Sequence, residues 1–231
     1  MLSDWRTVLK QFQNLFEQLQ KLAHQSMQDG SVLEADADRQ LTPLQRHILR
    51  ELLEGRPAQP QIVRDELTGL LVRSSLLERL DQALGGSSSR DSILALCFID
   101  LDGFKQINDQ HGHAIGDQAL SLVGQRLQNS IRSDDLLCRW GGDEFVVVLQ
   151  NIDHQKSVEH LADRLLNAIS HPLRLSADEP LTLFLGASIG VSILAPGVLR
   201  EKLDALGLIE SADQAMYKAK RAGKNRIEIT A

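Results

Sequence analysis

Apolar residues near the start of the chain repeat with the period of a helix that packs against another helix. Seven of them alternate steps of three and four residues, the a/d pattern of a coiled coil: Leu2, Trp5, Leu9, Phe12, Phe16, Leu19 and Ala23. A further row at seven-residue spacing, Val8, Leu15 and Leu22, makes the stripe wider than a two-stranded seam requires. This helix is therefore predicted to contact more than one neighbour, or to dimerise and offer a further face to a partner.

A second helix is predicted directly before a proline-rich linker. Thr42 is its candidate N-cap, Pro43 suits its first turn, and Gly55 suits its C-terminal end. Pro57 and Pro60 then make a short, stiff connection. We therefore predict three parts. Residues 1–56 form a helical stalk, residues 57–61 a linker, and residues 62–231 a separate domain.

From residue 62 the apolar pattern alternates between helical and strand periods. Helices are predicted over Ser74–Leu84, Phe104–Asp109, Ile115–Ile131, from a cap at Asp153 to Ile169, and over Glu210–Arg221. Strands are predicted over Ile93–Ile99, 136–140, 145–150, Leu181–Leu194 and Arg226–Thr230. The order β-α-β-β-α-β predicts an α/β (α+β) fold with a ferredoxin-like split β-α-β sheet that contains antiparallel strands and is flanked by helices.

Two carboxylates lie on the hairpin between the second and third predicted strands. The turn is Gly141-Gly142-Asp143-Glu144-Phe145, and glycine supplies the positive φ that such turns need. In the split topology the strand that ends at Asp100 pairs with the strand that follows Glu144. Three carboxylates are then expected at one edge of the sheet, where they can hold divalent metal against phosphate. Taken alone, the turn would more often be an acidic tip that faces water.

Composition narrows the choice of partners and compartment. The net charge of −6 argues against a nucleic-acid-binding surface. No basic and apolar leader and no apolar run of ~20 residues is visible, so we expect a cytoplasmic protein. Cys97 and Cys138 are expected to be reduced, because a third strand lies between the two predicted strands that carry them. Two inter-strand steps span ~10 Å, whereas a disulfide needs Cα atoms within about 7 Å.

Five motifs in order and spacing resemble the GGDEF family of diguanylate cyclases over residues 62–231. They are Phe98–Asp109, Gly112-His113, Gly116-Asp117, the Gly141–Phe145 turn and Ala219–Arg226. Asp65–Leu70 also resembles the turn D-x-L-T-G-L that leads into the family's domain. Val72 stands where the family usually has asparagine, so one hydrogen-bonding group of that turn is missing. Ser188-Ile189-Gly190 matches a family strand and is interpreted as a packing motif.

The resemblance implies a metal-dependent reaction that joins two GTP molecules into cyclic di-GMP and releases two pyrophosphates. The positions that match the family's metal site are Asp100, the carbonyl of Leu101, and Asp143, and they imply two Mg²⁺ ions, with Mn²⁺ as a substitute. Asp143 also matches the proposed proton acceptor, and Glu144 matches the acidic position that follows it. Asp102 is interpreted as a supporting residue or a turn cap.

The resemblance also assigns substrate contacts. The implied positions are Phe104, Lys105, Asn108, His113, Asp117, Arg139, Gly141, Gly142, Lys220 and Lys224. Phe104 and Lys105 open a helix, where backbone N–H groups suit phosphate. Asn108 and Asp117 are the candidate readers of guanine, whose donor pair on one edge suits a carboxylate acceptor. Lys224 stands where the family usually has arginine, and a lysine loses the bidentate geometry.

A second ligand site is implied by the sequence Arg132-Ser133-Asp134-Asp135. Its offset of five residues from Gly141 matches the family's product-inhibition site, in which Arg132 and Asp135 would bind cyclic di-GMP. Arg164 on the following helix is the candidate second arginine. R-x-x-D by itself is a weak signal, since arginine and aspartate often pair in turns.

The favoured interpretation is an active cyclase that works as a homodimer, with a regulatory protein docking on the stalk. Two alternatives stay open at this point. One is a receptor that binds cyclic di-GMP through Arg132 and Asp135 without catalysis. The other is a scaffold whose stalk binds a partner. The turn Gly141–Phe145 is intact, and this favours catalysis.

Overall fold

The structure is a computed structural model, and it describes residues 62–85, 92–175, 180–196 and 205–230. The chain divides into two compact units, residues 1–61 and 62–231. The predicted stalk and linker lie outside the described residues and stay predictions. Among the described helices, none combines the length and the apolar content that crossing a bilayer requires.

A six-stranded mixed sheet organises the described part of the second unit, in the order β1-β3-β4-β2-β7-β8. Its strands are β1 (Leu71–Val72), β2 (Ile93–Asp102), β3 (Leu136–Gly141), β4 (Glu144–Ile152), β7 (Gly186–Leu194) and β8 (Arg226–Thr230). β2 is antiparallel to β4 on one side and to β7 on the other, whereas β8 runs parallel to β7 and β1 parallel to β3. The predicted split β-α-β arrangement is confirmed, with the short strand β1 added at one edge.

Helices cover both faces of this sheet. They are α1 (Arg73–Gly85), α2 (Phe104–His111), α3 (His113–Asn129), α4 (Gln155–Ser170) and α5 (Ala205–Arg221). α2, α3 and α4 share one apolar cluster, and α1 and α5 share the other. Residues of β2 alternate between the two clusters, because successive side chains of a strand point to opposite faces. The continuous apolar run of β2 is explained by this two-sided burial.

Gly190 on β7 allows α5 to approach the sheet closely. A Cβ atom there would lie 2.0 Å from the carbonyl oxygen of Ala212 and 2.1 Å from the amide nitrogen of Met216. Backbone atoms cannot move aside as a flexible side chain can, so a glycine is required at this position. The packing role that we predicted for Ser188-Ile189-Gly190 is confirmed.

The predicted strand Leu181–Leu194 is wrong in its extent. It is divided into β6 (Leu181–Leu183) and β7, and β6 pairs with β5 (Leu173–Leu175) in a separate hairpin. Phe184, at the break between them, is 74% exposed. An apolar run does not reveal that its two halves have different partners, and only the tertiary pairing separates them.

Two helix starts also differ from the prediction. The N-cap of α4 is His154, without a side-chain capping bond, so the capping role predicted for Asp153 is wrong. α5 begins at Ala205 rather than near Glu210, because Ala205, Leu208 and Ile209 are buried against the sheet. The other helix ends agree with prediction to within two residues, as is usual for helix boundaries.

Both cysteines are buried and unpaired, as predicted. Cys97 lies on β2 and Cys138 on β3, and β4 separates the two strands. Burial raises the pKa of each thiol to about 12. Neither is therefore a thiolate near neutral pH.

Candidate active site

The acidic end of β2 meets the β3–β4 turn at one edge of the sheet. Asp100 is directly opposite Glu144 in the register of β2 and β4. The amide of Leu101 donates to the carbonyl oxygen of Asp143 at 3.3 Å. Gly142 has a φ of 55°, which a residue with a side chain rarely adopts. The prediction that these carboxylates meet at one edge is confirmed.

The charges at this edge are crowded. Burial raises the pKa of Asp100, and Asp143 and Asp102 add to the rise, while a hydrogen bond from Lys220 opposes it. Burial, followed by the charges of Asp100 and Asp143, raises the pKa of Glu144 to about 6. The Nζ atom of Lys220 lies 2.6 Å from Oδ2 of Asp100. Like charges held this close are typical of a site that binds a cation.

The donors at this edge suit Mg²⁺. They are the carboxylates of Asp100 and Asp143 and the carbonyl of Leu101, all of which are hard oxygen ligands. Among the described residues, no three His, Cys, Asp or Glu side chains form a cluster that would enclose a metal ion. Mg²⁺ commonly keeps several waters and takes one or two protein carboxylates together with substrate phosphates, so this sparse set fits it.

α2 begins directly after the acidic strand end. Gly103 is its N-cap, with a φ of 85° and no side-chain capping bond. The amides of Gln106 and Ile107 donate to the carbonyl of Gly103, whereas those of Phe104 and Lys105 have no acceptor among the described residues. The Phe104 side chain is buried, so its predicted contact with substrate would use the backbone. Two unpaired amides beside an exposed lysine are suited to phosphate.

Asn108 is the most unusual polar residue of this region. Its Oδ1 atom is buried and accepts no hydrogen bond among the described residues. It fits against α3 only because Gly116 has no side chain, since a Cβ atom there would lie 1.9 Å from that oxygen. A buried acceptor without a donor is costly, so this atom is suited to a ligand donor.

The other predicted base contacts lie on α3 and are exposed. His113 is the first residue of α3, and Asp117 directly follows Gly116. Asp117 also borders an open groove of about 840 Å³ between α3, β5 and the turn Asp65–Leu70, hereafter the leading turn. Asp100, Asp143 and Lys220 are not among the residues that line this groove, so it is distinct from the acidic edge.

Arg139 connects the acidic turn to the leading turn of the domain. Its Nε and Nη2 atoms donate to the carbonyl of Gly142 at 3.0 and 2.9 Å, and Nη1 lies 3.2 Å from the carboxylate of Asp65. Asp65 in turn accepts bonds from the amide and hydroxyl of Thr68. These contacts hold the turn in place, and the substrate contact predicted for Arg139 stays a prediction.

The turn after α5 carries Lys224. Lys224 and Asn225 have φ values of 62° and 45°, directly after Gly223 at 118°. The amide of Asn225 donates to Oδ2 of Asp102 at 2.9 Å. The turn therefore lies beside the acidic end of β2, and the triphosphate contact that the resemblance implied for Lys224 stays a prediction.

The R-x-x-D segment forms a tight turn before β3. Oδ2 of Asp135 accepts from the amide of Arg132 at 2.9 Å, and Oδ1 accepts from the amide of Gln150 at 3.0 Å. Asp135 is 8% exposed, while Arg132 and Arg164 are exposed. The carboxylate thus has a structural role in the fold, and the binding of product by these residues stays a prediction.

Sequence reasoning missed Asp213 and gave Asp102 no definite role. Burial raises the pKa of Asp213, and the charge of Lys220 opposes the rise. The charge of Asp213 in turn helps to raise the pKa of Glu144. The available signal was spacing: Asp213 precedes Lys220 by seven residues, or about two turns of α5, so both lie on one face.

Comparisons with known proteins show the family to which the chain belongs. A profile of the family described as “Diguanylate cyclase, GGDEF domain” matches residues 62–226. The diguanylate cyclase DgcP of Pseudomonas aeruginosa is 35% identical over 173 residues, which is 71% of this chain and 23% of DgcP. The chain spans about a quarter of the length of curated relatives that it matches.

Two solved structures are similar over more of the chain. Diguanylate cyclase SiaD of Pseudomonas aeruginosa, in complex with its activator SiaC, is 28% identical with a TM-score of 0.65, covering 99% of this chain and 82% of that one. The coiled coil and GGDEF domain of DgcB from Caulobacter crescentus, in complex with c-di-GMP, is 25% identical with a TM-score of 0.65, covering 87% and 100%. With the family profile matched from residue 62 to residue 226, this chain belongs to the GGDEF domain family of diguanylate cyclases.

Proposed function

We propose that this protein is a diguanylate cyclase that condenses two GTP molecules into cyclic di-GMP and two pyrophosphates. One observation carries the proposal. Asp100, the Asp143–Glu144 turn and Lys220 converge at a single sheet edge, with Lys220 Nζ 2.6 Å from Asp100 Oδ2. Carboxylates and a lysine side by side are the groups needed to bind a metal–triphosphate, and family membership favours GTP as the nucleotide.

The metal is expected to bind to the side chains of Asp100 and Asp143 and to the carbonyl of Leu101. Bound Mg²⁺, two ions by analogy with the family, or Mn²⁺ in its place, would neutralise phosphate charge and lower the pKa of the attacking hydroxyl. Lys220, which pairs with Asp100 in this structure, would then be available to phosphate oxygens.

The remaining steps use the protein's own groups. The triphosphate is held by the amides of Phe104 and Lys105 and by the amines of Lys105, Lys220 and Lys224. The 3′-oxygen of one GTP attacks the α-phosphorus of the other, and the bond from that phosphorus to the pyrophosphate oxygen breaks. The hydroxyl proton passes to the carboxylate of Asp143, beside Glu144. A second round closes the ring.

Base selection is assigned to Asn108 and Asp117, with further substrate contacts at His113, Arg139, Gly141 and Gly142. The buried Oδ1 of Asn108 supports this assignment, because a guanine N–H is a donor of the kind that it lacks. Adenine presents a different donor and acceptor pattern, so GTP is expected to be selected strongly over ATP.

Each domain binds one GTP, so the reaction requires two domains that face each other. We assign this role to the predicted stalk, residues 1–56, through dimerisation. The coiled coil next to the GGDEF domain of DgcB supports a helical stalk, and the complex of SiaD with its activator supports a regulatory protein partner. The second apolar row, Val8, Leu15 and Leu22, is the candidate docking surface for that protein.

Feedback by product is the second ligand function that we assign. Arg132 and Arg164 are exposed and available to bind phosphate and guanine of cyclic di-GMP. Asp135 already accepts two backbone bonds, yet each carboxylate oxygen has a second lone pair for a guanine donor. The c-di-GMP complex of DgcB supports product binding within the family.

The test of catalysis is direct. Purified protein is incubated with GTP and Mg²⁺, and products are separated by chromatography, with ATP as the competing substrate and Asp143→Ala as the matched inactive variant. We expect cyclic di-GMP from the unaltered protein alone, and little product from ATP. Binding of cyclic di-GMP without turnover of GTP would instead favour a receptor.

The role of the stalk is tested by removing it. Deletion of residues 1–56 is expected to leave a GTP-binding domain with much lower activity, restored by fusion to an unrelated dimeric coiled coil in a permissive register. Full activity of the truncated protein at low concentration would contradict the assignment. Failure of every register would point to a partner that the stalk must recruit.

A further inference from the structure

Asp102 lies at the active edge, and its hydrogen bonds join it to β7 and to the turn after α5. Its carboxylate accepts the hydroxyl of Ser188 at 3.0 Å through Oδ1 and at 3.1 Å through Oδ2. Oδ2 also accepts the amide of Asn225 at 2.9 Å. Ser188 is fully buried, so one side of this carboxylate is anchored to the sheet. The other side connects to the turn after α5.

That turn has an unfavourable backbone conformation. Lys224 and Asn225 are consecutive non-glycine residues with positive φ, a conformation that persists only where the surroundings hold it. The amide of Lys224 donates to the carbonyl of Ala219 at 3.1 Å, and Ser170 Oγ donates to Asn225 Oδ1 at 3.2 Å. The bond to Asp102 joins the turn to the acidic strand end, and Arg226, which follows the turn, pairs with Ser188 of β7.

Lys224 has particular need of a fixed backbone. An arginine can fix its own orientation by two parallel bonds to phosphate, whereas a lysine amine is a point charge on a flexible four-carbon stem. Its position at the phosphates therefore depends on where the backbone starts the stem. Among the described residues no ion pair involves Lys224, so none of the described side chains supplies that placement.

We propose that Asp102 is a positioning residue for triphosphate binding. By accepting the Asn225 amide while it is anchored by Ser188, Asp102 holds the Lys224–Asn225 turn at the acidic edge and presents the Lys224 amine to the β- and γ-phosphates. The inference rests on the proposed function, because it takes Lys224 to bind the triphosphate. It differs from direct metal binding by Asp102, because it assigns the carboxylate to the Ser188 hydroxyl and the Asn225 amide.

The test is a double-mutant cycle on the full chain. The probe is GTP with a methylene group in place of the oxygen between the α- and β-phosphorus, which cannot release pyrophosphate, in the presence of Mg²⁺. Its affinity is measured by calorimetry for the unaltered protein and for the variants Asp102→Asn, Lys224→Ala and the double variant. Asp109→Asn, an exposed carboxylate on α2, is the matched control for loss of a charge nearby.

We expect Asp102→Asn to weaken binding of the probe by about three- to tenfold, the scale of one charge-assisted hydrogen bond. In the Lys224→Ala background the same change should have almost no effect, because its benefit is delivered through Lys224. Hydrogen exchange at the Asn225 amide should accelerate in Asp102→Asn without probe and stay unchanged in Asp109→Asn. GMP, which lacks the β- and γ-phosphates, should bind the unaltered protein and Asp102→Asn equally.

The contrary outcomes are distinct. Additive effects of the two substitutions, or unchanged exchange at Asn225, would overturn the inference. The inference would also be overturned if Asp102→Asn required more Mg²⁺ for binding while exchange at the Asn225 amide stayed unchanged. Asp102 would then be assigned to the metal. If the unaltered protein binds no probe, the proposed function itself fails and this inference fails with it. If the unaltered protein binds and Asp102→Asn binds equally, only the inference fails.

Discussion

Two acidic turns border the same strand pair, and they differ in what their carboxylates contact. In the turn before β3, Asp135 is buried and both its oxygens accept backbone amides. In the turn between β3 and β4, the carboxylate of Asp143 has no hydrogen bond among the described residues and lies beside Asp100 and Glu144. The carboxylate of the first turn is hydrogen-bonded within the protein, whereas the second turn carries negative charge that is not balanced.

The contrast indicates which turn is organised for a ligand. A carboxylate that accepts hydrogen bonds from two backbone amides stabilises the fold, since each amide would otherwise be a buried donor without an acceptor. Burial and neighbouring carboxylates raise the pKa of Asp100 and of Glu144, and such crowding of negative charge destabilises the fold unless a cation is added. Both turns matched functional motifs of the family in sequence, and only their contacts show that Asp135 also has a structural role, whereas Asp143 has none among the described residues.

The largest expected effect is on catalysis. Asp143→Ala should reduce formation of cyclic di-GMP by on the order of a hundredfold or more, the scale found when one electrostatic contact to developing charge is removed. Its free energy of unfolding should change by no more than about 0.5 kcal/mol, because the side chain makes no hydrogen bond within the described residues. Initial rates and urea unfolding measure the two quantities. Turnover close to that of the unaltered protein would remove Asp143 from the mechanism.

Substitution of Asp135, in the turn before β3, should lower the stability of the protein. Asp135→Ala should lower the free energy of unfolding by about 2 to 3 kcal/mol, since the amides of Arg132 and Gln150 lose their acceptor. Urea titration followed by circular dichroism checks this. Asp134→Ala, an exposed neighbour, is the matched control and should have little effect. Equal stability of the two variants would erase the contrast between the turns.

Product inhibition should distinguish the role of the Arg132 side chain from the role of its backbone amide. Arg132→Ala keeps the amide that donates to Asp135, so stability should be unchanged. Inhibition by added cyclic di-GMP should weaken by about tenfold, as expected for loss of a charged contact to phosphate. The measurement is the initial rate against added product. Insensitivity of the unaltered protein to product would show that the inhibition site is absent or lacks its second arginine.

The smallest expected effect is on pH dependence at Asp65, which resembles Asp135 in using its carboxylate for the fold. Burial would raise the pKa of Asp65, but hydrogen bonds from Thr68 and the charge of Arg139 outweigh it and hold the pKa below its usual value. The ionised group therefore stabilises the fold above its unfolded pKa of about 3.9, and this stabilisation is lost as pH falls through the folded pKa. Asp65→Asn should cost about 1 kcal/mol at pH 7.

The measurement for Asp65 is the difference in the free energy of unfolding between the unaltered protein and Asp65→Asn. That difference should shrink as pH falls below about 4, because the aspartate becomes neutral like the amide that replaces it. Asp109→Asn provides the control at an exposed position. A constant difference across pH would mean that Asp65 acts by shape and not by charge.

The sequence by itself determined the order of the main strands and helices and the edge at which the carboxylates of Asp100, Asp143 and Glu144 meet. Strand periodicity, the glycines of the Gly141–Phe145 turn and the split topology require Asp100 to approach Glu144, and the structure has that register. The cysteine prediction followed from the same strand order. These are consequences of period and chain connection, which a linear pattern contains.

Only the tertiary structure decided how individual polar groups are paired. It divided Leu181–Leu194 between two sheets, gave Asp102 to the Lys224–Asn225 turn, and left Oδ1 of Asn108 buried without a donor. It also gave both oxygens of Asp135 to backbone amides. Such pairings join residues far apart in sequence, such as Asp102 and Asn225, and their energies depend on burial and distances of a few ångströms. A sequence pattern does not contain these distances, because they are set by how helices and strands pack.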